Sequence, residues 1–127
     1  MNKKPSEYIA EFLNFVADTQ AKYDIYWDAV NKEDKLTQDY LHNLELGNLK
    51  CDERSKIATK LAINRQDRRY YKDRVEEFEP IVKFFDDQIN RKALEKLKQV
   101  LGETRKQESY HKDRKYMPRV LKEKKDE

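Results

Sequence analysis

Apolar residues recur every three to four positions along most of this chain, the period of a helix buried along one stripe. Ile9, Val16, Tyr23 and Val30 stand seven residues apart, as in a heptad seam, and Phe12, Leu13, Tyr26 and Trp27 widen the stripe. Ser6, between Pro5 and this run, reads as the N-cap of a first helix over about residues 6–30. The polar string Asn31–Asp34 reads as a turn or a frayed bridge, leading to a short second helix with Leu36, Tyr40, Leu41 and Leu44. Gly47 reads as its C-cap, because glycine enters the left-handed conformation without steric cost. A third helix then runs from Cys51 to about Glu79. Ile57, Leu61, Asn64 or Arg65, Arg68, Tyr71, Val75 and Phe78 share its stripe. The polar middle of that stripe either buries a charge or marks a partly exposed helix. Pro80 cannot extend the hydrogen-bond ladder, so it is expected to end or kink this helix and to open the next. The fourth helix carries Ile81, Val82, Phe85, Ile89, Leu94, Leu97, Val100 and Leu101, with a break near Asn90. Gly102 either caps it or sits in a polar helical extension. Tyr116–Leu121 reads as a small extended apolar patch, followed by a disordered charged end.

Composition narrows the fold class. Ala, Glu, Lys, Leu and Arg supply 59 of the 127 residues, against two glycines and three prolines, which favours long helices over sandwiches or barrels. Two isolated glycines cannot build a phosphate-cradling loop, which argues against P-loop and dinucleotide-binding enzymes. The expected fold is all-α, an antiparallel bundle of three to four helices with one or two long members and coiled-coil-like packing. Residues 1–103 form the bundle domain and 104–127 a basic C-terminal extension, partly disordered or helical. The third helix, spanning roughly 42 Å, is long for so small a chain. A homodimer that shares its seam is therefore an expected partner.

The candidate chemistry is sparse. The single cysteine, Cys51, excludes an intrachain disulfide and reads as an incidental buried thiol. His42 and His111 have no metal-ligand spacing, and neither a metal nor another cofactor is expected. Glu76, Glu77, Glu79, Asp86 and Asp87 form the one enzyme-like cluster, in which Glu76 and Glu79 could share a magnesium ion. The second spaced pair such a site needs is missing, since Asp86 and Asp87 are adjacent and point apart. No catalytic residue and no small-molecule substrate are therefore expected. No apolar run approaches the ~20 residues of a membrane span, and the first residues lack an apolar signal core, so a cytoplasmic location is expected.

Charge is uneven along the chain: residues 1–50 are net acidic, and the residues from Thr104 onward are net basic. Two basic segments interleave tyrosines in a way that suits phosphate pairing and base stacking. One is RQDRRYYKDR, with Arg65, Arg68, Arg69, Tyr70, Lys72 and Arg74 as candidate partner- or nucleic-acid-binding residues. The other contributes Arg105, Lys106, Lys112, Arg114, Lys115 and Arg119. The competing reading pairs these cations with nearby carboxylates or leaves them on a solvated helix end. Tyr8, Tyr26, Tyr110 and Tyr116 are candidate protein-interface residues, since tyrosine offers large contact area at low ordering cost.

The strings HNLELGN, ERSKIATKL, RQDRRYYKDR, EPIVKFF, LGETRK and RKYMPRV, spread over about residues 42–120, resemble small helical proteins encoded by bacteriophages and prophages of low-GC Gram-positive bacteria. The resemblance brings no catalytic motif. It implies a bacterial host cytoplasm and an interaction protein that inhibits or redirects a host macromolecular complex, anti-CRISPR proteins being examples of the kind. The expected partner is such a complex, together with any nucleic acid bound to it. The alternative is a nucleic-acid-binding accessory protein of phage replication or transcription.

Overall fold

The computed structural model describes residues 2–116 and Val120. It contains three α-helices and, among the described residues, no strand: α1 (Pro5–Leu46), α2 (Cys51–Asp86) and α3 (Gln88–Asp113). At 1.5 Å per residue, the 42 residues of α1 span roughly 63 Å and the 36 of α2 roughly 54 Å. The two form an antiparallel hairpin, to which α3 is joined through the single residue Asp87. The expected all-α bundle is the fold observed, built from three helices.

The first two expected helices are one. Asn31–Asp34 stays helical because no glycine or proline interrupts the chain between Pro5 and Gly47, and because these residues are held from across the hairpin. Asn64 of α2 donates to the Glu33 carbonyl (3.0 Å) and carboxylate (2.5 Å), and Arg68 donates to Asp34 (2.5 Å). Ser6 is not the N-cap. Lys4 holds that place, and Pro5, whose fixed φ and missing N–H suit a first turn, starts the helix one residue earlier. Gly47 does cap α1, but with φ −76° and ψ 139° it is extended rather than left-handed; its N–H donates to the Asn43 carbonyl at 2.9 Å.

Pro80 neither ends α2 nor opens the next helix; it lies inside α2. A proline in a helix interior removes one ladder bond, and here packing on both sides carries the helix through. Phe78 stacks on Tyr26 (centroids 6.0 Å apart) and Phe85 meets Phe12 edge-on (6.1 Å). The break falls at Asp87 rather than near Asn90. Asn90 instead straddles the break, its side-chain amide donating to the Phe84 carbonyl (2.6 Å), while Arg91 pairs with Asp86. No break occurs at Gly102, and α3 continues to Asp113. Of the expected apolar patch Tyr116–Leu121, only Tyr116 and Val120 are among the described residues, and both are exposed.

Periodicity located the seam of α2 correctly. Ile57, Leu61, Asn64, Arg68, Tyr71, Val75 and Phe78 are all buried or half-buried. The polar middle is a buried layer: Asn64 is 3% exposed, and the Thr37 hydroxyl donates to its Oδ1 at 2.6 Å. The apolar core is thin. Among the described residues, Val30 and Val75 are the apolar side chains that are fully buried. Leu13, Val16, Ile81, Val82, Phe85 and Leu94 surround an apolar cleft of about 290 Å³ where the three helices meet. Further along α3, Glu108 accepts from the Ser6 N–H (3.0 Å) and hydroxyl (2.5 Å), so α3 crosses back over the start of α1.

Candidate binding surface

Hairpin formation divides the RQDRRYYKDR string. Arg68 and Lys72 turn toward α1, Arg68 onto Asp34 and Lys72 over the Trp27 ring with its Nζ 4.1 Å from the centroid. Both are half-buried, as such intramolecular uses require. Tyr70 and Arg74, four residues apart, share another side. The Arg74 guanidinium lies over the Tyr70 ring (5.0 Å) and bonds Glu77 (2.6 Å). Arg69 pairs with Asp73 at 3.3 Å, and Arg65 is exposed beside it. The six residues therefore do not present one basic face. Tyr26 is likewise used inside the hairpin, between Tyr71 and Phe78.

The second basic segment is gathered. Arg105, Lys106, Lys112, Arg114 and Lys115 are all exposed and make no ion pair among the described residues. Tyr110 (61% exposed) and Tyr116 (74%) stand among them, and Arg119 lies outside the described residues. Lys106, Ser109, Tyr110, Asp113, Arg114 and Lys115 line a shallow hollow of about 470 Å³. Cations here also complement the negative end of the α3 dipole.

The contact between Ser6 and Glu108 enlarges this end. It brings the start of α1 alongside α3, and Lys4 lies near enough to the Glu108 carboxylate to act on it electrostatically, as does Arg105. The Ser6 hydroxyl, then its backbone N–H, hold the Glu108 carboxyl below the usual carboxylate range against the opposing effect of burial. Lys3 lies 5.6 Å over the exposed Tyr8 ring and pairs with Glu11 at 2.7 Å. Lys3, Lys4 and Tyr8 thus join Arg105, Lys106 and Tyr110 at one end of the molecule. Tyr8 is visible as a candidate in the sequence but the two lysines are not, because Lys4 acquires its neighbour Glu108 from about a hundred residues away. Their one visible signal was a pair of cations just ahead of the first helix.

The acidic cluster disperses. Glu77 pairs with Arg74, Glu79 with Lys83 and Asp86 with Arg91, and among the described residues no three His, Cys, Asp or Glu side chains are placed to hold a metal ion. Cys51 is exposed rather than buried, because it is the first residue of α2, beyond the packed part of the hairpin. Among the described residues, no helix is long and apolar enough to cross a membrane. Compared with protein-family models, curated proteins and solved structures, the chain matches none.

Proposed function

We propose that the chain is a non-enzymatic interaction protein, of the phage and prophage type it resembles, that binds and inhibits or redirects a host macromolecular complex. The target class is a nucleic-acid-handling enzyme, a CRISPR nuclease being one example. The observation that carries this reading is the basic and aromatic end of the molecule, where Arg105, Lys106 and Tyr110 of α3, Arg114 and Lys115 just past its end, and Lys4 at the N-cap of α1 stand together. Exposed tyrosines anchor protein interfaces, and unpaired cations steer a carrier toward acidic grooves or bound nucleic acid. Bacterial cytoplasm is the compartment that goes with this reading.

The same surface supports a second reading, direct binding of nucleic acid, because tyrosine rings stack on unpaired bases and lysines neutralise phosphates. Salt separates the two. Direct binding of a single strand loses affinity with a log–log slope near −0.7 per neutralised phosphate, so about four contacts give a slope near −3. The deciding experiment is capture from host lysate with wild type and with a Lys106→Glu/Arg114→Glu/Lys115→Glu variant, each with and without nuclease. A defined complex that survives nuclease and is lost with the variant supports the inhibitor reading. Material retained only without nuclease transfers the assignment to nucleic acid. Capture unaffected by the charge reversal refutes this surface as the binding site.

A further inference from the structure

Beyond the reach of α3, the middle of the hairpin has no third helix over it. Ile25, Ala29, Leu36 and Tyr40 lie along one side of α1, and Ile63 and Tyr71 along the matching side of α2. Ile25 is 62% exposed and Ile63 53%. Two hollows on this side, one at Ile25 and Ala29 and the other at Leu36, Tyr40 and Ile63, are both bordered by Glu33. They therefore adjoin at Glu33 and together make a groove along this side. Cleft-lining Leu94 and Glu108 on Ser6 place α3 against the N-terminal part of α1, away from this groove.

We propose that the groove is the interface with a second copy of this chain, two hairpins packing into a four-helix bundle. Three observations select a copy over another occupant. The first is architectural: a two-helix section with two fully buried apolar side chains lacks the two further helices that complete a bundle core, and a second hairpin of equal length supplies both. The second is area. A compact monomer of 15.4 kDa exposes about 7,200 Å². This chain exposes 10709 Å². An elongated helical chain carries more surface than a compact one, and the excess is larger than the ~1,000–2,500 Å² that each subunit of a permanent homodimer buries. The third is charge. The rim carries Asp28, Lys32, Lys60 and Asp67, both signs on one face, which suits self-association. A polyanion would meet repulsion from Asp28, Glu33 and Asp67.

The test is the mass of the full chain in solution between about 1 and 100 µM, with the thermal midpoint followed over the same range. Wild type should run at twice the 15.4 kDa chain mass, with a Tm that climbs with concentration. Leu36→Glu and Ile63→Glu, each placing a carboxylate in the groove, should run as monomers. Ile89→Glu, at a 75% exposed position on α3, should leave the dimer intact. A wild-type monomer throughout overturns the proposal, as does a dimer that survives both groove substitutions or is lost equally in Ile89→Glu. If a groove variant loses helicity, the wild-type Tm series decides alone: a midpoint independent of concentration overturns the dimer.

Discussion

Asn64→Ala tests the polar layer that locks the two long helices in register. The wild-type side chain makes three hydrogen bonds: to the Glu33 carboxylate (2.5 Å), to the Glu33 carbonyl (3.0 Å) and from the Thr37 hydroxyl (2.6 Å). One bond to a charged group contributes about 1.5–3 kcal/mol and two neutral ones about 0.5–1.5 kcal/mol each, so the gross loss is about 2.5–6 kcal/mol. Two effects reduce it. Glu33 and Thr37 are half-buried and can turn to water, and alanine is favoured in a helix over asparagine by up to ~0.7 kcal/mol. A net loss of about 2 kcal/mol remains. With an unfolding entropy of about 2.1 cal/mol/K per residue, this lowers Tm by roughly 7 °C. Far-UV circular dichroism in urea and on heating, at one fixed protein concentration, measures it. A double cycle with Thr37→Val should give a coupling of at least ~0.5 kcal/mol. A loss under about 0.5 kcal/mol, or additivity in the cycle, refutes the view that this layer holds the hairpin together.

Three further outcomes follow from the packing and the end contacts. Val75→Ala empties one of the two filled core positions and should cost about 2–3 kcal/mol by urea denaturation, whereas Ile25→Ala, at a position 62% exposed in the single chain, should cost far less in a monomeric background. Gly102 has open space where a Cβ would stand, so Gly102→Ala should stabilise the chain by about 0.4–1 kcal/mol; a Cβ on Gly47 would lie 2.5 Å from the Asn43 carbonyl oxygen, so Gly47→Ala should destabilise it. The Glu108 carboxyl is held low in the folded state, so its contribution is complete above the unfolded value and is lost as pH falls through the folded one. The protection of the Ser6 amide, its exchange relative to an unstructured amide at the same pH, should therefore fall in acid, below the ordinary carboxylate range, and Glu108→Gln should abolish that dependence.

Much of the fold was legible because helical period reports which side chains face a partner, whatever the partner is. The stripe from Ile57 to Phe78 needed no knowledge of α1 to be found. Helix ends were less legible, because they depend on contacts far away in sequence. Asn31–Asp34 looks like a turn until Asn64 and Arg68 are seen holding it, and Pro80 looks like a terminus until Phe78 and Phe85 are placed against α1. The same physics governed the candidate surface. Charge counts along the chain showed that RQDRRYYKDR was basic, but not that Arg68 and Lys72 are committed to Asp34 and Trp27. Nor could they show that Lys4 joins Arg105, since Glu108 makes that connection from across the chain.

The thin core has an evolutionary consequence. Substitutions are felt most where a side chain is enclosed, and among the described residues enclosure is confined to Val30, Val75, the layer around Asn64, Ser6 and Thr19. Elsewhere, any residue that keeps helical preference and the broad apolar stripe leaves the hairpin standing. Such a scaffold tolerates wide change in sequence while its shape stays fixed. Nearly every surface residue can therefore be replaced without passing through an unfolded intermediate.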